Sequence, residues 1–190
     1  MAYVIRTITA LATIALAVDL DAAKAHMRID FDDEDDDISA KLKAAQHRLE
    51  KHMSRPLTAR ELEMTLDAFP CRFAPITIPR EGITGIASVK YTDTSGVEQT
   101  VDPSGYRWSD SNPDKLLPSF GGEWPSAVAC DPGAVRIRFN AGYATAAEVP
   151  DDLIEAVKRM TAYLYENREG AGDIPPGVVS LCAGYRRQPV

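Results

Sequence analysis

The chain is poor in the residues from which metal sites, disulfide frameworks and common active sites are built. Its 190 residues include only three cysteines and three histidines. Cys71, Cys130 and Cys182 are odd in number, widely spaced and without a C-x-x-C pair. They outline neither a disulfide framework nor a zinc site, and free thiols in a reducing compartment are expected. His26, His47 and His52 lack metalloprotease spacing, and there is no G-x-S-x-G, no HExxH and no phosphate-cradling Gly-rich loop. Carboxylates are plentiful, but nothing singles out a pair for glycosidase-type acid–base work. The chain is read as doing no chemistry and holding no cofactor.

Positive charge is also scarce. Lys and Arg number 21 against 28 Asp and Glu, a formal net charge of −7. A protein that grips nucleic acid through its phosphates needs a basic face, so this balance argues against one. It leaves room for a surface that DNA passes without sticking. Long apolar runs are missing too. The segment Thr7 to Val18 (TITALATIALAV) is shorter than the ~20 apolar residues of a membrane-spanning helix. Arg6 precedes it and Ala15-Leu16-Ala17 has a small-x-small look, but one basic residue and three interrupting threonines make a poor leader. It is read as a retained N-terminal arm (residues 1–18), a strand or a short helix. With 45% hydrophobic and 26% charged residues, the remainder has the composition of a globular protein with a real core.

What is present begins with VPDDLIEAVKRMTAYLYENRE, residues 149–169. Pro150 suits the start of a helix, and Asp151 and Asp152 favour its positive end. Leu153, Val157, Met160 and Leu164 recur on one stripe, which Ile154, Thr161 and Tyr165 widen. Glu155, Lys158, Arg159 and Glu166 lie off it, with Glu155 placed to pair with Arg159 one turn on. Gly170 and Gly172 are expected to stop the helix, and Pro175-Pro176 to prevent a restart. A second helix is predicted over Glu34 to Met53, with Ile38, Leu42, Ala45 and Leu49 on its stripe, ended by Ser54-Arg55-Pro56. A shorter one, Leu20 to Arg28, follows a capping Asp19.

The most acidic run, Asp30 to Asp37, spans the start of the second helix. There Asp32, Glu34 and Asp36 alternate as calcium ligands would, with Asp33, Asp35 and Asp37 as the acidic residues beside them. It lacks the glycine of an EF-hand turn and the last-position Glu, where Lys43 stands instead. The reading adopted is that one Asp caps the helix and the others favour its first turn.

Between the helices, residues 57–148 read as an inserted β domain. Leu62, Met64 and Leu66 alternate with Glu61, Glu63 and Thr65; Val135, Ile137 and Phe139 alternate with Arg136 and Arg138. Asp93-Thr94-Ser95-Gly96 is a turn between two strands. Ser109 to Pro132 is read as loop, with Trp124 as a packing anchor. Arg136 and Arg138 are expected to bridge to the acidic strand Glu61–Glu63. The fold class expected is therefore α+β: a small helical bundle (19–56 and 149–169) with an inserted antiparallel β domain. A tail (170–190) follows, in which Leu181, Tyr185, Arg186 and Arg187 make a candidate partner-docking peptide.

Several short segments, in order, resemble the head–tail connector (adaptor) family of long-tailed bacteriophages and gene transfer agents. Leu20-Asp21-Ala22-Ala23-Lys24-Ala25-His26-Met27-Arg28-Ile29-Asp30 resembles the family's opening, with Asp19 in place of its usual Ser. The acidic start Asp33–Ile38 and the finish from Glu50 to Arg55-Pro56-Leu57 resemble its second helix. Ile76–Pro79 and Ile86–Asp93 with Gly96 resemble its strands. Asn140-Ala141-Gly142-Tyr143, Val149–Leu153 and Glu166-Asn167-Arg168-Glu169 resemble its close. The resemblance implies a virion protein forming a ring, commonly of twelve subunits, beneath the portal at the particle's neck, assembled in the host bacterial cytoplasm. Such a ring continues the channel for double-stranded DNA, without binding its sequence, and docks a tail-side stopper or terminator. No membrane is involved. It implies that the Leu181–Arg187 segment engages the portal, that Glu155, Lys158, Arg159 and Glu166 meet a neighbouring subunit, and that the acidic run either lines the channel or serves the helix start. Two alternatives stand beside it: a calcium-dependent binding module using Asp32–Asp37, and a secreted hydrolase with Thr7–Ala17 as leader.

Overall fold

The computed structural model describes residues 3–8, 14–167 and 172–186. The chain folds as two compact units, one drawn from residues 1–14 and 60–142, the other from 15–59 and 143–190. Both are discontinuous in sequence, and the α+β class expected from the sequence holds.

The first unit is β. Its main sheet contains β1 (Tyr3–Thr7), β2 (Arg60–Leu66), β4 (Ile83–Thr92), β5 (Glu98–Thr100) and β8 (Val135–Ala141). They run in the order β1-β2-β8-β4-β5, every neighbour antiparallel. A three-stranded sheet, β3-β7-β6, uses β3 (Ile76–Thr77), β6 (Tyr106–Arg107) and β7 (Lys115–Pro118). Alternation along β2 and β8 sends Leu62, Met64, Leu66, Val135, Ile137 and Phe139 into one core with Ile78, Val89, Leu116 and Trp124. Trp124 is the anchor expected. Its ring stacks on Phe69 at 5.2 Å and its indole N–H donates to the carbonyl of Ala74 at 2.9 Å. Asp93 organises the β4–β5 turn, accepting from the Ser95 and Val97 amides at 2.8 and 3.0 Å, while Gly96 takes the positive φ the turn requires.

Three details of this unit differ from the sequence expectation. The stretch read as loop contains β7, because Leu116 and Pro118 face the core while the chain pairs with β3 and β6. Glu63, on the polar side of the alternation, is buried at 1% exposure. It lies between Arg6 and Arg138 in the cross-strand register, and both guanidiniums bond its carboxylate, Arg138 at 2.8 Å. Arg136 bridges Glu98 at 2.5 Å rather than the acidic strand.

The second unit is helical: α1 (Leu20–Met27), α2 (Asp35–Met53), α3 (Asp151–Glu166) and α4 (Pro176–Cys182). The stripes read from the sequence meet here. Leu42, Ala45 and Leu49 pack in one cluster with Leu153, Val157, Met160 and Leu164, joined by Ala156, Ala23 and Val178. Each large apolar side chain so buried contributes about 1.5–3 kcal/mol. Asp19 caps α1 by accepting from the Ala22 amide at 2.7 Å. Ala17 and Val18, counted with the arm, and Leu57, counted with the β insertion, are core residues of this unit. The prolines after α3 do the opposite of what was expected. Pro175 and Pro176 open α4, since the first helical position needs no N–H donor.

Candidate functional site

The residues that carry the family resemblance form two polar clusters in the helical unit. The first joins α1 to the acidic run. Lys24 is 8% exposed, and its ammonium donates to Asp32 Oδ1 at 2.6 Å and Asp35 Oδ1 at 2.7 Å. Hydrogen bonds from the ammonium to Asp32 and then Asp35 raise its pKa above the ordinary lysine value. Asp37 bridges Lys41 at 2.6 Å, and the Tyr165 hydroxyl of α3 donates to Glu34. No aspartate caps α2. Glu34 occupies the cap position without a side-chain cap bond, its carboxylate accepting from Tyr165 while Asp32 and Asp35 are turned to Lys24. Asp33 and Asp36 are exposed.

The second cluster surrounds Glu50. Its Oε1 accepts from the Leu57 amide at 2.9 Å and from Gln46 Nε2 at 3.1 Å. Gln46 Oε1 accepts from the Ala17 amide at 2.9 Å, and Thr58 Oγ1 donates to the Ala15 carbonyl at 2.9 Å. Gln46, Glu50 and Thr58 are all buried. The α2 helix ends on Ser54 at φ 56°, and Arg55 lays its guanidinium over the Tyr143 ring at 5.2 Å. Glu50 thus ties down the chain as it turns out of α2, and Tyr143 receives the arginine that follows. The spacing of Glu50, Arg55, Leu57 and Tyr143 has a physical reason in this clamp, which helix periodicity does not reveal.

The outer face of α3 carries the candidate ring residues. Glu155 and Arg159 bridge at 2.7 Å as the i,i+4 spacing implies, Glu166 is exposed and Lys158 half-buried. In the tail, α4 packs Val178 and Cys182 into the helical core, with Leu181 and Tyr185 partly buried against it and Arg186 exposed. Arg187 lies outside the described residues. Burial, with the Arg186 charge nearby, holds His52 below the ordinary histidine range. Burial alone pushes the Cys182 thiol up to about 11, so at pH 8 only about one molecule in a thousand carries the thiolate. Titration with a thiol reagent is therefore expected to modify exposed Cys71 and Cys130 quickly. Cys182 should react only on unfolding; equal rates for all three would contradict the packing of α4.

Glu63 gives the β unit a pH dependence. Burial pushes its carboxyl up, but hydrogen bonds and charge from Arg138 and Arg6 outweigh this and leave it below its ordinary value of 4.5. A depressed folded pKa means stability present above the unfolded value and lost as pH falls through the folded one. Unfolding midpoints are expected to decline below about pH 4.5, and Glu63→Gln should flatten that decline. An unchanged acid limb in the variant would assign the dependence elsewhere.

Among the described residues no group of three or more His, Cys, Asp or Glu side chains converges as metal ligands would, and no helix is long and apolar enough to cross a membrane. The calcium reading is not supported: Asp32 and Asp35 converge on an ammonium. The hydrolase reading finds no support either.

Residues 17–104 match the family model described as phage gp6-like head-tail connector protein. Three solved structures resemble the chain over nearly its whole length. A chain from the neck of an empty GTA particle computed with C6 symmetry is 26% identical with a TM-score of 0.80, covering 98% of this chain and 97% of that one. A chain from the virion of a native gene transfer agent particle is also 26% identical (TM-score 0.77), with coverages of 98% and 96%. A chain from the neck of a native GTA particle computed with C12 symmetry is 25% identical (TM-score 0.74), with coverages of 98% and 97%. No curated protein matches. The fold is that of these neck chains. The match over residues 17–104 agrees with the family that the sequence resembles.

Proposed function

We propose that this chain is a structural subunit of the neck ring of a tailed-phage-like particle. It sits beneath the portal, continues the DNA channel and offers its far side to a stopper or tail terminator. The observation that carries this is the near full-length likeness to neck chains from particles computed with sixfold and twelvefold symmetry. A twelve-membered ring is the reading adopted. An acidic ring suits a channel, since carboxylates repel phosphates and DNA slides rather than sticks. Asp33 and Asp36, exposed beside carboxylates committed to Lys24, are the acidic-run residues open to that role. Electron microscopy of the native assembly tests the whole: a closed ring at the head–tail junction is expected, and the chain at a non-ring site would overturn it.

The outer face of α3 supplies one contact between neighbours, and the tail at Leu181, Tyr185, Arg186 and Arg187 docks on the portal. Reversing the α3 pair, Glu155→Arg with Arg159→Glu, keeps the helix pairing and costs within about 0.5 kcal/mol of stability. Ring occupancy on particles, counted by electron microscopy, is expected to fall in the reversed variant. Arg186→Glu with Arg187→Glu is expected to spare folding and abolish co-purification with the portal. Normal rings in the first case, or portal binding in the second, would remove that residue set from its role.

A further inference from the structure

The two edges of the five-stranded sheet differ. Strand β1 is five residues long with no proline and no bulge, and it leaves Tyr3 and Val4 at 52% and 65% exposure. Natural edge strands are usually guarded by charge, proline, bulges or brevity, because an open edge invites another strand. Strand β5, at the other end, is only three residues long. No described strand covers the outer side of either.

The ladders fix which backbone groups point outward. The Ile8 amide donates to the Glu61 carbonyl at 3.0 Å. Alternation in an antiparallel pair then turns Val4 and Arg6 toward β2, and the N–H and C=O groups of Tyr3, Ile5 and Thr7 away from it. By the same rule, the Val101 amide donating to the Val89 carbonyl at 2.9 Å turns the backbone of Glu98 and Thr100 outward from β5. Four antiparallel steps separate the two edges, so β1 and β5 run in the same direction.

Charge on the polar face has a direction as well. From the β5 edge it reads Glu98, then Lys90 bridged to it at 2.8 Å, then Arg136 and Arg138, then Glu63, then Arg6 at the β1 edge. One edge ends in a carboxylate that is 44% exposed, the other in a guanidinium that is 63% exposed. A ring made by rotation needs two different surfaces that complement each other on every subunit. One twelfth of a turn, about 30°, nearly preserves strand direction and is close to the ordinary twist between adjacent strands.

We propose that the sheets of neighbouring copies join edge to edge in the ring, β1 of one copy pairing in parallel with β5 of the next and Arg6 meeting Glu98 across the junction. The occupant of each edge is thus a second copy of this chain. This inference rests on the ring reading above and adds the surface that closes the ring.

The test uses necks isolated from particles carrying the full chain with Cys71→Ser and Cys130→Ser, to which Ile8→Cys and Thr100→Cys, opposite each other when Arg6 faces Glu98 in parallel register, are added. Mild oxidation is expected to give a ladder of covalently linked copies on a non-reducing gel, lost when either new cysteine is omitted. A second variant, Thr7→Pro, removes an outward N–H while leaving the bonds to β2, a place where an edge strand tolerates proline. It is expected to fold and to lose ring occupancy. An intact ring that gives no ladder, with Thr7→Pro incorporated normally, overturns the edge junction and leaves the ring standing. A chain imaged outside any ring overturns both. A disulfide from the thiol introduced by Ile8→Cys to a different protein assigns that edge to another partner and also overturns the proposal.

Discussion

Replacing Glu50 with alanine is expected to destabilise the helical unit by about 2–4 kcal/mol. The carboxylate is 8% exposed and accepts from the Leu57 amide and the Gln46 side chain. Alanine leaves a buried main-chain donor without its partner, at about 1–3 kcal/mol. It also removes methylene groups from a packed site, at about 0.8 kcal/mol each. The change should appear as a lower denaturation midpoint of the helical circular dichroism signal. Glu50→Gln retains an acceptor oxygen in the same place and is expected to lose less than half as much. If glutamine and alanine prove equal, the clamp on the α2 exit is not what holds this turn.

Phe139→Ala is expected to cost the β unit about 3–5 kcal/mol, the usual range for emptying a buried aromatic site. Phe139 is fully buried in β8, with Leu62 of β2 opposite on one side and Ile86 of β4 on the other. Its loss opens a cavity where the central strand joins both halves of the sheet. Trp108 and Trp124 both lie in this unit, so tryptophan fluorescence reads it separately from the helical signal. A drop in the fluorescence midpoint is expected. A midpoint within about 1 kcal/mol of the parent would mean that the site collapses around the missing ring.

The helices were legible in the sequence because their evidence is local. Leu153, Val157, Met160 and Leu164 repeat within one element, and Asp19 caps the helix beside it. What stayed hidden depends on partners distant in sequence. Glu63 looked exposed because alternation along one strand says nothing of Arg6, 57 residues away, folding over it. Nothing local marks Lys24 for burial, since Asp32 and Asp35, which close on it, lie 8 and 11 residues on. Strand β7 was obscured by Pro113 and Pro118, and its hydrogen bonds go to strands that local pattern cannot choose. Pro175-Pro176 was misread because proline stops one helix and starts another equally well, and only the burial of Val178 and Cys182 decides between them. The connector motifs were readable as an ordered set; the Glu50 clamp that gives several of them a physical purpose was not.

The position of β8 governs the timing of folding. It is the centre of the five-stranded sheet, yet its last residue, Ala141, is made 75 residues after Leu66 completes β2. At synthesis rates of about 5–20 residues per second, β2 waits roughly 4–15 seconds for its inner neighbour. Until then β1–β2 and β4–β5 are at most separate two-stranded ribbons, which are marginal in water. The helical unit waits longer still, since α3 and α4 follow β8. The nascent chain therefore completes neither unit until most of it has left the ribosome, and finished subunits become available for assembly only as whole molecules.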